Sequence, residues 1–180
     1  DPIDHVKAPT IFTSIFKEKK IDAVMVPIHV EKDNLKNVIA SIKKIKNFQG
    51  MTVTIPHKTT IANLCDHLEQ DAEFTKSVNW IKFDKDRKLI GNNFDGQGFV
   101  AGFLSQNFLI KNKKICIFGA GGAAVSIACS LAKQKIKSLK IINRKINKAN
   151  ELMKKIKVID NDLFVEATEY KDNYLLNDYD

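Results

Sequence analysis

The chain has 180 residues, of which 44% are hydrophobic, and its 29 lysines and arginines exceed its 21 aspartates and glutamates to give a net charge of +8. This length allows one sizeable core or two small ones and excludes a large multidomain protein. No apolar run approaches the roughly 18 residues of a membrane span, and the amino-terminal stretch lacks the basic-then-apolar pattern of a secretory signal. We therefore expect a cytoplasmic protein with no membrane partner.

Helices and strands of the amino-terminal part are predicted from apolar periodicity and from β-branched runs. In chain order, we expect a helix over Pro9–Lys19, a strand over Asp22–Val30, a helix from about Asp33, a strand over Met51–Ile55, a helix after Pro56, and a pair of strands over Ser77–Phe83 and Lys88–Gly91. Strand–helix units in succession predict a mainly parallel sheet flanked by helices. The predicted fold class is therefore α/β.

The carboxyl-terminal part begins with a predicted helix from Asp95. Its apolar side chains recur on one side and are Phe99, Val100, Phe103 and Leu104. The later elements are a strand over Ile115–Phe118, a glycine turn, a helix to about Gln134, a strand over Leu139–Ile142, a helix from about Asn147 and a third strand over Leu163–Thr168. We place a domain boundary near residue 108, so that residues 1–108 form one domain and residues 109–180 a second.

The excess of basic residues raises the question of a nucleic-acid partner. Only Arg87 and Arg144 are arginines, and the lysines are spread over predicted helical faces and turns without an interleaved aromatic motif. Such a distribution favours a solvated surface over a nucleic-acid footprint. We therefore expect no nucleic-acid partner.

Cysteine spacing gives no indication of a metal site or a disulfide framework. The three cysteines, Cys65, Cys116 and Cys129, form no C-x-x-C pair and show no metal-ligand spacing. Cys116 and Cys129 lie in apolar patterns, which predicts buried, reduced thiols. No metal is expected.

A glycine-rich segment, Gly119–Ala124, follows a predicted strand and opens the next helix. It matches the pattern G-x-G-x-x-A, in which Gly119 permits a tight turn, Gly121 lets the backbone approach a pyrophosphate, and Ala124 lets the helix pack on the strand. The helix N-terminus adds N–H donors and a partial positive charge for an anion. The alternative is a glycine turn with only a structural role. The strand–loop–helix context favours a Rossmann-like dinucleotide-binding domain.

The choice between NAD and NADP depends on the end of the following strand. Sites for NAD usually place an Asp or Glu there to bind the ribose 2′-hydroxyl, whereas this chain has Asn143, Arg144 and Lys145, followed by Lys148. A cationic cluster suits a 2′-phosphate, and no carboxylate is present to repel it. The alternative is that these are ordinary cations of a first helical turn, although the helix dipole disfavours cations at that end. We therefore expect NADP as the cofactor.

Two residues upstream of the loop have side chains suited to proton transfer. Lys58 comes just past a predicted strand, and Asp95 begins a predicted helix. At the edge of a parallel sheet, where open α/β sheets bind ligands, such a pair can hold a hydroxyl and move its proton during hydride transfer. Taken singly, Lys58 is better explained as a surface lysine and Asp95 as a helix cap. Only the combination indicates an active site.

Five segments together carry a resemblance to a known family. They are Gly50–Lys58, Ser77–Trp80, Gly91–Gly98, Gly119–Ala124 and Asn143–Arg144. In this order they resemble the shikimate dehydrogenase family. The first is similar to its strand-and-lysine segment, the second to its Ala-Val-Asn-Thr, and the third to its Gly-x-Asn-Thr-Asp-x-x-Gly. The last two resemble its cofactor loop and its clamp for the 2′-phosphate.

The resemblance implies a two-domain enzyme of the shikimate pathway of aromatic amino acid biosynthesis, which reversibly reduces 3-dehydroshikimate with NADPH. It implies that Lys58 and Asp95 are the catalytic pair. The implied substrate-binding residues are Thr54, Lys58, Asn79 and Asp95. The implied cofactor-binding residues are Gly119, Ala120, Gly121, Gly122, Ala123, Asn143, Arg144, Lys145 and Lys148. A monomer or a homodimer fits the family, and the NADP-binding domain is expected to be incomplete because the chain ends at Asp180.

Several positions depart from the family pattern. Near the amino terminus the family has two serines whose hydroxyls bind the substrate carboxylate, and Val6 and Ala8 stand at those positions, with Lys7 between them. Phe94 and Trp80 replace two threonines and make the pocket bulkier or more apolar. These departures indicate a paralogue that retains the catalytic pair and acts on quinate or another hydroxylated ring acid. The alternative is a non-catalytic NADP-binding module.

Overall fold

A computed structural model describes residues 2–4, 6–171 and 178–180 of the chain. The chain divides into two compact units, Asp1–Asn92 and Asn93–Asp180. The division falls before the helix Asp95–Ser105, whereas the sequence places a boundary after it, near residue 108. The reason is that this helix packs along another helix of the second unit, Gly122–Ala132. Among the described residues, no helix is both long and apolar enough to cross a lipid bilayer.

The first unit combines short helices with a four-stranded mixed sheet. Its elements are α1 (Ala8–Glu18), α2 (Leu35–Ile42), β1 (Gly50–Thr52), α3 (Lys58–Ala62), β2 (His67–Leu68), α4 (Gln70–Thr75), β3 (Trp80–Phe83) and β4 (Leu89–Asn92). The strand order is β1-β3-β4-β2, with β3 antiparallel to β1 and β4 and with β2 parallel to β4. The predicted α/β class is confirmed, but the mainly parallel sheet predicted for this part is wrong.

The antiparallel pairing of β3 and β4 has a local cause in the turn between them. The carboxylate of Asp84 accepts hydrogen bonds from the backbone N–H groups of Asp86 and Lys88, at 2.9 and 2.8 Å. This turn reverses the chain within a few residues, and strands joined by a short turn pair antiparallel. The sequence predicted these two segments as a pair of strands around a charged turn, and that prediction is confirmed. Periodicity carries no information about their other neighbours, β1 and β2.

The strand predicted over Asp22–Val30 is absent, so that prediction is wrong. Val24 and Val26 are 73% and 60% exposed. Thr13 of α1 binds both backbone groups of Met25, because its Oγ1 accepts from the N–H at 3.2 Å and donates to the carbonyl oxygen at 3.4 Å. A β-branched run indicates side chains that suit a pleated surface, but a strand also needs a neighbour for its backbone groups.

The core of the first unit is apolar and is shared by its helices and its sheet. The buried members are Leu35, Ile39, Ile61, Ala62, Ala72, Val78, Ile81 and Leu89. Cys65 packs against this core, where burial raises the pKa of its thiol to about 11. The thiol therefore stays protonated and unreactive near neutral pH. All three cysteines of the chain are free thiols.

Arg87 holds the end of α2 from the β3–β4 turn. Its guanidinium donates hydrogen bonds of 2.7 to 3.3 Å to four backbone carbonyl oxygens, those of Ile42, Lys43, Ile45 and Phe48. Its carbon Cζ lies 3.9 Å from the centre of the Phe83 ring. Carbonyl groups at the end of a helix lack partners within the helix and carry partial negative charge. Arg87 therefore has a structural role that the sequence did not indicate.

Within its described residues, the second unit has a three-stranded parallel sheet and three helices. Its elements are α5 (Asp95–Ser105), β5 (Lys114–Phe118), α6 (Gly122–Ala132), β6 (Ser138–Asn143), α7 (Ile146–Ile159) and β7 (Phe164–Glu169). The strand order is β5-β6-β7, and both pairings are parallel. The strand–helix alternation predicted for this part is confirmed, including the third strand.

Helix α5 buries only one of the four apolar residues that recur on its side. Val100 is buried, whereas Phe99, Phe103 and Leu104 are 39%, 42% and 48% exposed. Gly96 is the other buried residue of the helix. Close packing of α5 on α6 uses the side that carries the small residue Gly96.

Candidate active site

Three of the predicted substrate residues, Thr54, Lys58 and Asn79, are brought together in the first unit by backbone hydrogen bonds. The N–H of Val53 donates to the carbonyl oxygen of Asn79 at 2.8 Å, and the N–H of Val78 donates to the carbonyl oxygen of Lys58 at 2.9 Å. These bonds join the end of β1, the start of α3 and the residues that lead into β3. All three candidate side chains are half-buried.

The turn between β1 and α3 determines where Lys58 lies. The N–H of His57 donates to the carbonyl oxygen of Thr54 at 3.0 Å, and α3 begins at the next residue, Lys58. The His57 ring is buried, and its Nε2 lies 2.8 Å from the carbonyl oxygen of Val30. Since a carbonyl oxygen only accepts, Nε2 carries the hydrogen. His57 thus anchors the lysine-bearing turn, a role that sequence reasoning missed although this residue precedes Lys58.

Asp95 is the first residue of α5 and belongs to the second unit. Its N–H donates to the side-chain oxygen Oδ1 of Asn93 at 3.0 Å. The same Oδ1 accepts a hydrogen bond of 3.0 Å from the hydroxyl of Ser126 on α6. Asn93 and Ser126 are both buried. Sequence reasoning missed both residues. Asn93 lies within Gly91–Gly98, a segment that resembles the family, whereas a serine inside a helix gave no signal.

The glycine loop is joined to the end of β6 by Asn143. Gly119 has a φ of +107°, which only glycine adopts easily, and its N–H donates to the carbonyl oxygen of Ile142 at 2.7 Å. The N–H of Ala120 donates to Oδ1 of Asn143 at 3.2 Å, and Nδ2 of Asn143 donates to the carbonyl oxygen of Lys145 at 2.8 Å. The side-chain amide therefore connects the loop with the turn that precedes α7.

Gly121 and Gly122 stand where α6 begins, followed by Ala123 in its first turn. Gly121 has an extended backbone, with φ −83° and ψ −179°, which any residue can adopt. A Cβ atom built on either glycine meets no atom within 4 Å. The fold itself therefore does not require glycine at these positions. The open space beside the N–H groups of α6 fits the approach of a pyrophosphate, the group that these glycines predict.

Three cations gather where the 2′-phosphate is expected. Lys145 precedes α7, and Lys148 lies in its first turn, four residues after Arg144. All three are exposed. Within the described ranges, none of them forms an ion pair. Like charges at the positive end of a helix repel one another and the dipole, so an anion bound there would stabilise the arrangement.

The positions that depart from the family pattern lie at the start of α1, at the start of β3 and just before α5. Val6 and Ala8 are half-buried, and Ala8 is the first residue of α1. Lys7, between them, is exposed and makes no side-chain capping bond. Trp80 is half-buried at the start of β3, and Phe94, which precedes α5, is 39% exposed. None of these side chains supplies the hydroxyl that the family pattern has there.

Comparison with known proteins assigns the chain to a family. The family model for the shikimate dehydrogenase substrate binding domain matches residues 1–81, and the model for shikimate / quinate 5-dehydrogenase matches residues 104–174. The chain belongs to the shikimate dehydrogenase family. Shikimate dehydrogenase (NADP(+)) of Nitrosopumilus maritimus strain SCM1 is 37% identical over 159 residues, which are 88% of this chain and 58% of that protein. The chain therefore spans little more than half the length of this relative.

Solved structures show the same fold. Shikimate 5-dehydrogenase of Listeria monocytogenes, solved with shikimate and NAD, is 31% identical with a TM-score of 0.85, over 95% of this chain and 59% of that one. The ligand-free 5-ketofructose reductase of Gluconobacter sp. strain CHM43 is 26% identical with a TM-score of 0.84, over 94% and 60%. A shikimate 5-dehydrogenase and a 5-ketofructose reductase thus share the fold of this chain.

Proposed function

We propose that the full-length protein is an NADP-dependent oxidoreductase that interconverts 3-dehydroshikimate and shikimate or a related hydroxylated ring acid. The observation that carries the proposal is the cluster of Thr54, Lys58 and Asn79, held together by two backbone hydrogen bonds. The same chain also carries the glycine loop, which has open space for a cofactor, and Asp95, the second candidate for proton transfer. Family membership and the name of the Nitrosopumilus maritimus relative support the same activity.

The proposed reaction adds one hydride and one proton to a ketone. When bound, NADPH supplies the hydride to the carbonyl carbon and is oxidised to NADP+. Lys58 donates the proton to the carbonyl oxygen as the hydroxyl forms, and the carboxylate of Asp95 accepts a hydrogen bond from that hydroxyl. In the oxidising direction the lysine takes the proton back. Thr54 and Asn79 bind further hydroxyls of the ring, since a hydroxyl and an amide each offer a donor and an acceptor.

Lys58 gives the sharpest test of this assignment. Full-length protein is mixed with NADP+ and shikimate, and the reduced cofactor is followed by its absorbance. Replacing Lys58 by alanine is expected to lower kcat by about 10²- to 10⁴-fold, the usual contribution of a general acid. Lys85→Ala, which removes an exposed lysine from the β3–β4 turn, is the matched control and is expected to keep wild-type turnover.

Unchanged turnover in Lys58→Ala would contradict the catalytic role, provided that circular dichroism shows both variants to be folded. A wild-type protein that binds NADP+ in calorimetry but turns over no ring acid would instead identify the non-catalytic cofactor-binding module.

We assign NADP rather than NAD because Arg144 lies beside two lysines, and Asn143 stands where NAD sites place a carboxylate. Arg144→Ala is expected to raise the Kd of NADP+ at least about tenfold and to change the Kd of NAD+ by less than about twofold, since a charge-assisted contact with phosphate contributes about 1.5–3 kcal/mol. Calorimetry on full-length protein measures both. Lys154→Ala, an exposed lysine farther along α7, is the control. Equal losses for the two cofactors would exclude a role in recognising the 2′-phosphate.

A second substrate class is favoured by the amino-terminal departures. Val6 and Ala8 offer no side-chain donor for a carboxylate, so a substrate without that group would lose nothing there. The 5-ketofructose reductase of Gluconobacter shares the fold, and the ketone in its name has no carboxylate. Measuring kcat/KM for shikimate, quinate and 5-ketofructose distinguishes the two classes. A higher value for the sugar-derived ketone would replace the ring acid in the proposal and would leave the NADP assignment intact.

A further inference from the structure

The hydroxyl of Ser126 makes two hydrogen bonds across the contact between α5 and α6. It accepts one from the N–H of Gly96 at 2.9 Å and donates one to Oδ1 of Asn93 at 3.0 Å. Ser126 is 4% exposed and Asn93 is 1% exposed. Because Ser126 and Asn93 are buried, loss of either bond would leave a buried polar group without its partner.

These two bonds fix the backbone on both sides of Asp95. Asp95 itself donates from its N–H to Oδ1 of Asn93, and the next N–H along the chain, that of Gly96, reaches Ser126. The first N–H groups of a helix lack partners within the helix. Here α6 and Asn93 supply them, so the helix start that carries Asp95 is held by a second helix.

Gly96 allows α5 and α6 to approach each other closely. A Cβ atom at this position would lie 2.6 Å from the backbone carbonyl carbon of Ser126 and would also collide with the Ser126 carbonyl oxygen and the Ser130 hydroxyl. Glycine therefore lets the first turn of α5 approach α6 closely enough for the Ser126 hydroxyl to reach it. Ser126 lies one turn beyond Gly122, the residue at which α6 emerges from the glycine loop.

We propose that Ser126 is a positioning residue that connects the cofactor-binding helix to Asp95. This inference rests on the proposed function, in which Asp95 takes part in proton transfer. The hydroxyl sets the position of the first turn of α5 relative to the helix that begins at the glycine loop. A small displacement of a reacting group costs turnover more than binding, so the loss of this hydroxyl lowers kcat and leaves the cofactor in place.

The test compares Ser126→Ala with Ser130→Ala in full-length protein. Both serines lie on α6 and are buried, but only Ser126 bonds to Asn93 and Gly96. Ser126→Ala is expected to lower kcat for shikimate oxidation about tenfold, to leave the Kd of NADP+ within about twofold, and to speed hydrogen exchange at the Gly96 amide, as seen by NMR. Ser130→Ala is expected to match wild type in kcat and in exchange at Gly96.

Two results would overturn the inference. One is faster exchange at Gly96 in Ser126→Ala with unchanged kcat, which would make the bonds structural only. The other is an equal fall in kcat in both variants, which would assign the effect to general packing of the helix. Ser126→Thr retains a hydroxyl and is expected to recover part of the lost kcat. A wild-type protein without turnover would overturn the proposed function itself, whereas the exchange measurement would still report on the contact.

Discussion

Backbone hydrogen bonds bring the candidate functional residues of the first unit together, with His57 anchoring the Lys58 turn, whereas polar side chains hold the backbone around Asp95 in the second unit. Thr54, Lys58 and Asn79 lie together because Val53 and Val78 donate across the strand and helix ends. In the second unit, by contrast, the side chains of Asn93 and Ser126 hold the backbone around Asp95.

In the first unit, a side chain such as Arg87 stabilises the fold away from the candidate functional residues. In the second unit, the side chains that stabilise the contact between α5 and α6 also hold a candidate functional residue. Of the polar side chains that hold the first unit together, His57 anchors the turn that carries Lys58, whereas Arg87 contacts other elements. In the second unit, Asn93 and Ser126 lie next to the candidate residue. Substitutions of framework residues away from the Lys58 turn, such as Arg87, are therefore expected to affect stability alone, whereas those of Asn93 and Ser126 are expected to affect both stability and function.

Gly96→Ala tests the second unit and has the largest expected effect on stability. A methyl group there meets the backbone of α6, which cannot rotate away, so we expect a loss of about 3 kcal/mol or failure to fold. Gly98→Ala is the matched control on the same helix. A Cβ at Gly98 meets nothing within 4 Å, and alanine is expected to stabilise the helix by about 0.5–1 kcal/mol. Thermal unfolding measures both, and similar melting temperatures would contradict the close packing of α5 on α6.

Arg87→Ala tests whether a framework residue of the first unit affects stability without affecting function. It removes the guanidinium donors of four carbonyl oxygens, of which those of Ile42 and Ile45 keep a backbone donor, and we expect a loss of about 2–3 kcal/mol in the free energy of unfolding, measured in urea. Arg87→Lys is expected to recover only part of this, because an ammonium group cannot reproduce the guanidinium fork. Lys88→Ala, in the same turn, is the control. Lower turnover per folded molecule in Arg87→Ala would show that this residue affects function as well as stability.

Asp66 gives the smallest expected effect, and it depends on pH. A hydrogen bond from Lys43 and one from the N–H of Leu89 hold the pKa of Asp66 below its usual value. A lowered pKa in the folded state contributes stability above the ordinary aspartate pKa of about 3.9, and that contribution is lost as the pH falls. Because the pair is partly exposed, Asp66→Asn is expected to cost less than about 1 kcal/mol at pH 7. Unfolding free energies of variant and wild type should converge as the pH falls below about 4; a constant difference would exclude the charge as its cause.

Much of the second unit could be predicted from the sequence because its signals are local. Apolar strands, a glycine loop and amphipathic helices alternate along the chain, and parallel strands joined by helices follow from that alternation. The same holds for Lys58 and Asp95, which were identified by residue type and by their place at the ends of elements. Whether these residues and the cofactor loop act as assigned remains a prediction.

Features that depend on distant partners could not be predicted. The segment Asp22–Val30 has the composition of a strand, but pairing depends on a neighbour that composition does not reveal. The short elements β2 and α4 were missed because two to six residues carry too little periodicity. Ser126 was missed for a similar reason, since its two partners lie about 30 residues away in the chain.

Asn143 has a consequence for any change of cofactor preference. Its Oδ1 accepts from Ala120 and its Nδ2 donates to Lys145, so both ends of the amide are used by the loop. An aspartate would keep the acceptor but would place a second oxygen against the carbonyl of Lys145. Introducing the carboxylate that NAD sites use would therefore disturb the candidate cofactor loop. Selection for a different dinucleotide is expected to find other positions first, because a substitution of Asn143 also removes a contact that holds the loop.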